Sequence, residues 1–278
     1  TAATYTHRTL EVRSRVPGRA PLRAEHEPFL RAPALSADGS LALVIANMHP
    51  DKREPHEWFL YDTRTGEALK KRKDIEFDAL TATITPDKKL GLVGDRRGGV
   101  RVLDLETGEC RVSYMTVERV HGLAYLDAKK GTWLSGGGNR GLVTIGDTGT
   151  DGPTILQPIG SHEASILAVA GCPRLALTGD AKGHVKLWDV PRKSAGGDLG
   201  PDHKKPITAL AVTSDGKVAV VASEDGTIDL WDLERVARFG TIDLATSSDH
   251  PTALLFEGPR LLRVGTARGV VHGFEILK

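Results

Sequence analysis

Two stretches of similar sequence decide the fold: His184-Val-Lys-Leu-Trp188-Asp189 and Thr227-Ile-Asp-Leu-Trp231-Asp232. In both, side chains alternate between polar and apolar ahead of an Asp, and this period of two predicts a β-strand. Related stretches that end on an acid occupy residues 57–62, 99–104, 141–147 and 270–275. The six acids lie at 62, 104, 147, 189, 232 and 275, so the repeats follow one another at intervals of 42 or 43 residues.

The fifth repeat contains the parts of a complete unit. Its four predicted strands cover residues 207–212, 218–222, 228–231 and 238–244. Four short antiparallel strands in about 42 residues are typical of one blade of a β-propeller, and blades must stack to bury both faces. The sequence therefore predicts an all-β fold, a single β-propeller domain over residues 1–278, with four-stranded repeats at about 31–73, 79–115, 119–161, 165–200, 207–246 and 251–278.

The sixth repeat contains only three predicted strands. Residues 9–15 alternate correctly, and we expect them to supply the outer strand that closes a ring of six blades and removes both sheet edges. Seven blades remain the alternative if residues 1–30 supply more than one strand, or if a longer parent protein supplies the rest.

The composition excludes several classes of protein. A formal net charge of +1 and 40% apolar residues argue against global disorder and against general nucleic-acid binding. No stretch approaches the ~20 apolar residues of a membrane span, and the N-terminus lacks the apolar core of a signal peptide. Two cysteines are too few for a disulfide framework. We therefore expect a cytoplasmic protein, and the missing initiator Met suggests a segment of a longer chain.

The motifs Leu187-Trp188-Asp189 and Leu230-Trp231-Asp232, with the inner-strand turns at 36–39, 85–87 and 213–216, resemble the WD-repeat β-propellers over about residues 31–276. The Ala-, Arg- and Gly-rich sequence resembles bacterial members, which often lie beside an ATPase, protease or kinase in signalling or defence proteins. The resemblance implies a scaffold or sensor that binds a protein partner, with an associated or fused effector domain.

The resemblance also implies a buried hydrogen-bond network in each blade. Its members are a His before the inner strand, a Ser or Thr on the second strand, an Asp in the following turn and the Trp. In the fourth repeat His162, Thr178 and Trp188 match, but Lys182 occupies the expected Asp position.

In the fifth repeat His203, Asp225 and Trp231 match, and Val221 occupies the hydroxyl position. The first three repeats lack the His. Since a partly satisfied polar network adds little stability, we expect apolar packing to hold the blades together. Asp189 and Asp232 complete the set of residues with an expected structural role.

No catalytic constellation stands out. Ser135 and Ser223 have no base that the sequence identifies, so a hydrolase triad has no support. His49 and His56 share a loop with acids, which we interpret as a solvated loop and not as a metal site. We therefore expect no enzymatic activity, no metal and no cofactor, and a site in the central channel is the remaining enzyme hypothesis.

The turn between the second and third strands carries a cation before its glycine in four repeats. These cations are Arg97, Arg140, Lys182 and Arg268, and Arg96 precedes the first of them. If the repeats superpose, the cations share one face and attract an anionic partner, such as an acidic or phosphorylated peptide or a nucleic-acid backbone. The alternative interpretation is that Lys or Arg before Gly only makes a soluble turn.

The first repeat has an insertion of about seven residues at 47–56. We expect Lys52, Arg53 and His56 in this loop to contact the partner, because loops on rigid scaffolds often carry function. A tolerated insertion is the alternative, since lengthening a loop costs little.

The leading prediction is a non-enzymatic protein-interaction scaffold or sensor with a basic, loop-rich binding face. The alternative is a propeller that binds nucleic acid or another anionic ligand through the same cations. The small number of aromatic residues counts against base stacking and hence against that alternative.

Overall fold

The structure is a computed structural model that describes residues 2–5, 9–13, 22–25, 29–47, 56–75, 78–115, 118–148, 156–200, 203–244 and 249–277. Secondary structure within these ranges consists of β-strands and turns. The same ranges hold no helix with the length and apolar character that a bilayer crossing requires.

The N-terminal residues form a three-stranded antiparallel sheet of β1 (Ala2–Tyr5), β2 (Thr9–Arg13) and β3 (Leu22–Glu25). The central strand is β2, which pairs with β1 on one side and with β3 on the other. Both of its edges are therefore occupied, and the prediction that residues 9–15 supply the outer strand of the sixth repeat is wrong. Residues 14 and 15 lie outside the described ranges.

Six further sheets follow, one for each predicted repeat. The strands of the first two blades are β4 (Phe29–Leu35), β5 (Leu41–Asn47), β6 (His56–Asp62) and β7 (Ala68–Ile75), then β8 (Ala79–Ile84), β9 (Leu90–Asp95), β10 (Gly99–Asp104) and β11 (Cys110–Met115). The third blade contains β12 (Gly122–Asp127), β13 (Thr132–Gly137), β14 (Leu142–Asp147) and β15 (Gln157–Ser161).

The remaining strands are β16 (Ile166–Gly171), β17 (Leu175–Asp180), β18 (Val185–Asp189) and β19 (Ser194–Asp198) in the fourth blade, β20 (Ile207–Val212), β21 (Val218–Ser223), β22 (Thr227–Asp232) and β23 (Ala237–Asp243) in the fifth, and β24 (Pro251–Glu257), β25 (Leu261–Thr266) and β26 (Val271–Glu275) in the sixth. Five blades have four strands in sequential order and the sixth has three. The predicted all-β propeller with six blades is confirmed, with the N-terminal sheet as an additional element.

The contacts within the chain define two compact units, residues 1–123 and 124–278, with the boundary inside β12. The first unit holds the N-terminal sheet and the first two blades, and the second holds nearly all of the other four. The assignment of residues 1–278 to a single domain stays a prediction.

Neighbouring blades of the second unit pack through a repeated set of apolar positions. Leu177 of β17 and Val185 of β18 lie in one buried cluster with Val221 of the fifth blade. The equivalent residues of the other blades behave alike: Leu134, Val143 and Ile145 pack against the fourth blade, and Val220, Ile228 and Leu230 against the sixth. The strand alternation is therefore explained by burial between blades.

The acids that mark the repeat interval fix the turn after the third strand. Oδ1 of Asp232 accepts hydrogen bonds from the backbone N–H groups of Glu234 and Arg235 at 2.9 and 3.1 Å. Asp189 accepts one from the backbone of Arg192 at 2.9 Å. A carboxylate that accepts hydrogen bonds from exposed turn donors favours an Asp at this place in both of these units.

Candidate functional site

The basic hairpins, defined as the turns that carry Arg97, Arg140, Lys182 and Arg268, each join the second strand of a blade to its third. All four cationic residues are exposed. The glycines that follow them adopt positive φ, at 89° for Gly98, 61° for Gly141, 94° for Gly183 and 78° for Gly269. The four glycines therefore share a left-handed backbone conformation, and the third-blade turn differs in that Gly138 at its start also has a positive φ, of 68°.

A buried carboxylate fixes the backbone of two of these hairpins. Asp95 Oδ1 accepts the backbone N–H groups of Arg97 and Gly99 at 2.8 and 2.6 Å. Asp180 Oδ1 accepts those of Lys182 and His184 at 2.8 and 3.0 Å. The backbone of both cationic residues is therefore held by the blade, while the residues themselves are exposed.

The charges of the hairpin residues differ in how far they are neutralised. Arg96 forms an ion pair with Asp78, with Nε and Oδ2 2.5 Å apart, so its charge is partly satisfied within the chain. In the described ranges the side chains of Arg97 and Lys182 make no ion pair. This distinguishes Arg96 from its neighbour, although the sequence grouped the two together.

The inserted loop of the first repeat falls mostly outside the described ranges. Lys52 and Arg53 lie there, and His56 is the first residue of β6. The strands that bracket the insertion, β5 and β6, end at Asn47 and begin at His56. A role of these three residues in partner binding stays a prediction.

The fourth blade contains a complete buried hydrogen-bond network. His162 Nδ1 lies 3.0 Å from Asp180 Oδ2, and its Nε2 lies 2.7 Å from Thr178 Oγ1. Trp188 Nε1–H donates to the same hydroxyl oxygen at 2.8 Å. These four side chains are buried. The hydrogen bonds therefore form a series in which Trp188 donates to Thr178, Thr178 donates to His162, and His162 donates to Asp180.

The protonation states follow from the surroundings of these groups. Burial lowers the pKa of His162 and outweighs the opposing hydrogen bond to Asp180. Burial raises the pKa of Asp180, but hydrogen bonds from His184, from the backbone of Lys182 and from His162 outweigh it and hold that pKa below its usual value. His162 is therefore neutral with its proton on Nδ1, and Asp180 is ionised.

This network corrects the expectation that Lys182 occupies the place of the acid. Asp180, two residues earlier at the end of β17, fills that role, and Lys182 lies in the turn beyond it. The segment Gly179-Asp180 at the end of β17 was the available signal in the sequence. It corresponds to Gly94-Asp95 of the second blade, whose Asp also accepts hairpin N–H groups. The fourth network is thus fully satisfied.

His184 is a further member of the network, which the sequence did not indicate. Its Nδ1 lies 2.9 Å from Asp180 Oδ2, the oxygen that also binds His162. The His184 side chain is 36% exposed, whereas those of His162 and Asp180 are fully buried. A single carboxylate therefore connects the basic hairpin to the interior of the blade.

The fifth blade has a looser arrangement around His203. Its Nδ1 lies 3.1 Å from Thr227 Oγ1 and 3.5 Å from Asp225 Oδ2. Its Nε2 lies 3.5 Å from Oδ2 of Asp229, which accepts a hydrogen bond from Arg238 at 2.8 Å. The sequence did not indicate that Thr227 and Asp229 contact His203. The family pattern places the hydroxyl on the second strand, where this chain has Val221.

The backbone N–H groups of His162 and His203 each form a hydrogen bond with the hairpin of the preceding blade. The backbone N–H of His162 donates to Gly141 O at 2.9 Å, and that of His203 donates to Gly183 O at 3.1 Å. These glycines directly follow Arg140 and Lys182. The backbone positions of both cations are therefore linked to the buried side chains of the next blade.

A separate cavity of about 220 Å³ lies between the third and fourth blades. Its lining includes Asp127, Lys130, Asp147 and Lys193, which belong to turns at the opposite strand ends from the basic hairpins. Among the described residues, no group of three or more His, Cys, Asp or Glu side chains is arranged to hold a metal ion.

Comparison with known families assigns one of the repeats. Residues 199–232 match the family model described as "WD domain, G-beta repeat". The match extends from the end of the fourth blade to the last residue of β22 and includes His203, Asp225 and Trp231. No curated protein matches the chain.

Proposed function

Because the chain is a WD-repeat β-propeller, we propose that it acts as a non-enzymatic scaffold or sensor that binds an acidic protein partner through its basic hairpins. WD-repeat propellers generally serve as protein-interaction scaffolds. The acidic character of the partner and the binding face are specific to this proposal.

The observation that carries the proposal is the recurrence of an exposed cation at one turn position in four blades. In two blades the backbone of that turn is fixed by a buried carboxylate, Asp95 or Asp180. A surface that is already ordered loses little conformational entropy on binding. Cations on such a surface favour an anionic partner and accelerate its association.

The proposal favours a protein over a nucleic acid. Single-stranded nucleic acids bind through aromatic side chains that stack on bases, in addition to cations. In the part of the chain that the structure describes, Phe239 is the one aromatic residue among the exposed large hydrophobic side chains, at 40% exposure. It lies on β23, away from the basic hairpins.

Reversing two charges in neighbouring blades tests the proposal. The double variant Arg140→Glu/Lys182→Glu is expected to bind a fluorescein-labelled Glu-rich peptide at least about tenfold more weakly, with a smaller salt dependence, because two attractive charges become repulsive. Fluorescence anisotropy at low and high salt measures both quantities. The melting temperature should not change, since both side chains are exposed.

The matched control is Lys129→Glu/Arg235→Glu, which changes the net charge equally. Both residues are exposed and lie in turns at the opposite strand ends, so this variant should bind as the wild type does. Equal weakening by both double variants would contradict a hairpin site. Stronger wild-type binding to a single-stranded oligonucleotide of equal charge would favour the nucleic-acid alternative.

A further inference from the structure

Two adjacent lysines, Lys204 and Lys205, lie in the loop that precedes the fifth blade. This lysine pair is exposed, and neither side chain forms an ion pair or a hydrogen bond with a residue that the structure describes. Neither residue belongs to a basic hairpin or to the buried networks of the fourth and fifth blades. Their two charges are therefore available to a ligand from outside the chain.

The loop that carries the lysine pair packs directly against the basic hairpin of the fourth blade. His203 N–H donates to Gly183 O at 3.1 Å. Gly183 follows Lys182, and a Cβ at Gly183 would meet the carbonyl oxygens of His203 and Lys205. Because no side chain fits between the hairpin and the loop, the backbone of Lys182 lies beside the backbone of the lysine pair.

Hydrogen bonds fix the backbone on both sides of this contact. Ser223 Oγ donates to Lys205 O at 3.2 Å, and Glu224 N–H donates to Pro206 O at 2.9 Å. The hairpin is held by Asp180, which accepts its backbone N–H groups. The three lysines therefore extend from backbone segments that are already ordered, and a ligand that binds them need not order those segments.

The equivalent loops of the neighbouring blades do not carry this charge. The loops can be aligned by the backbone hydrogen bond that each accepts from the hairpin of its own blade. In this alignment the lysine pair corresponds to Glu163 and Ala164 before the fourth blade, and Lys205 corresponds to Asp249 before the sixth. An acid thus occupies the equivalent loop in both neighbours, whereas the hairpin of the fourth blade meets two further cations.

The charge of this cluster matches a phosphate monoester better than a carboxylate. A phosphorylated side chain carries about −1.5 to −2 charges at pH 7 and three strong acceptor oxygens, whereas a carboxylate carries one charge. Lysine binds phosphate as a point charge and needs no bidentate geometry. The acids of the next hairpin, Glu224 and Asp225, form no ion pair with the three lysines within the described part of the chain. The positive charge is therefore not neutralised from that side.

We propose that the lysine cluster, defined as Lys182, Lys204 and Lys205, binds the phosphate group of a phosphorylated serine or threonine in the partner. This inference rests on the proposed function, because Lys182 belongs to a basic hairpin and the phosphorylated residue lies within the acidic segment that the hairpins bind. It adds the lysine pair to the contact surface. It also makes phosphorylation of the partner the step that strengthens the complex.

Two fluorescein-labelled Glu-rich peptides test the proposal, and they differ only in a central serine that is free or phosphorylated. Fluorescence anisotropy measures the affinity of each peptide for the full 278-residue chain. The phosphoserine peptide is expected to bind at least about tenfold more tightly, because hydrogen bonds between charged partners are the stronger ones. The serine peptide tests the proposed function, and the ratio of the two affinities tests the phosphate site, so each can fail separately.

A variant of the lysine pair locates the phosphate site. Lys204→Gln/Lys205→Gln should reduce the affinity ratio to less than about threefold, since a single cation of the cluster then remains for the phosphate group. The control Lys129→Gln/Lys130→Gln removes two adjacent exposed lysines in the third blade and should leave the ratio as in the wild type. The melting temperatures of both variants should not change, because the four side chains are exposed.

Three results would overturn the proposal. The first is a ratio near one for the wild type, and the second is an equal fall of the ratio in both variants. The third is binding of the wild type to vesicles that contain a phosphorylated inositol lipid, lost in Lys204→Gln/Lys205→Gln, together with a peptide ratio near one. That result would assign the lysine cluster to a membrane surface.

Discussion

Replacing Asp180 with Ala should lower the free energy of unfolding by about 3–5 kcal/mol, because a buried carboxylate with several donors would be lost. Its Oδ2 binds His162 and His184, and its Oδ1 accepts two backbone N–H groups. The substitution leaves the buried His162 Nδ1–H without its acceptor. Urea denaturation followed by circular dichroism measures the loss.

The matched control is Asp225→Ala in the fifth blade. Asp225 is partly exposed, at 23%, and its carboxylate lies 3.5 Å from His203. Its Oδ1 accepts two hydrogen bonds from Thr227 within the same turn, so we expect a loss of about 1–2 kcal/mol, since one hydrogen bond contributes about 1 kcal/mol. Equal losses for the two variants would contradict the conclusion that Asp180 is the buried acid of a complete network.

Replacing Gly183 with Ala should destabilise the chain by about 2–5 kcal/mol, from a left-handed backbone and from overpacking. Gly183 has φ of 94°, and a Cβ there would meet the backbone carbonyl oxygens of His203 and Lys205. Backbone atoms cannot move aside as a flexible side chain can. Thermal and urea denaturation of the variant measure the loss.

Gly269→Ala is the control for this prediction, because Gly269 lies at the same repeat position in the sixth blade. Its φ is 78°, and a Cβ there would meet nothing within 4 Å. The free energy of unfolding of this variant should fall by only about 1–2 kcal/mol, the cost of placing Ala in a left-handed backbone conformation. If both substitutions lower the free energy of unfolding equally, the hairpin of the fourth blade does not closely approach the loop before the fifth blade.

The architecture was predictable because the repeat interval and the strand alternation can both be recognised in short segments of the sequence. In the fifth blade the strand 207–212 begins and ends where the alternation predicts, and the other three strands agree to within one residue at each end. The partner of residues 9–13 was not predictable in this way. Alternation predicts a strand but not its neighbours, and the structure pairs β2 with two N-terminal strands.

The candidate site was predicted at the level of position but not of contacts. Aligning the repeats identified Arg140 and Lys182 as equivalent turn residues, and the structure places both before glycines of positive φ. The family pattern places the acid of the network at Lys182. The acid is instead Asp180, because its side chain at the strand end points to His162. The link from Gly141 O to His162 N joins residues of consecutive blades and has no signal in local sequence.

The most direct test of the central claim is an amide-exchange footprint of the chain bound to a Glu-rich peptide. We predict slower exchange at residues 139–141, 181–183 and 267–269, which belong to three basic hairpins, and unchanged exchange at 128–131 and 191–193 in the turns at the opposite strand ends. A bound peptide that slows exchange in those opposite turns, and leaves the hairpins unchanged, would contradict the account.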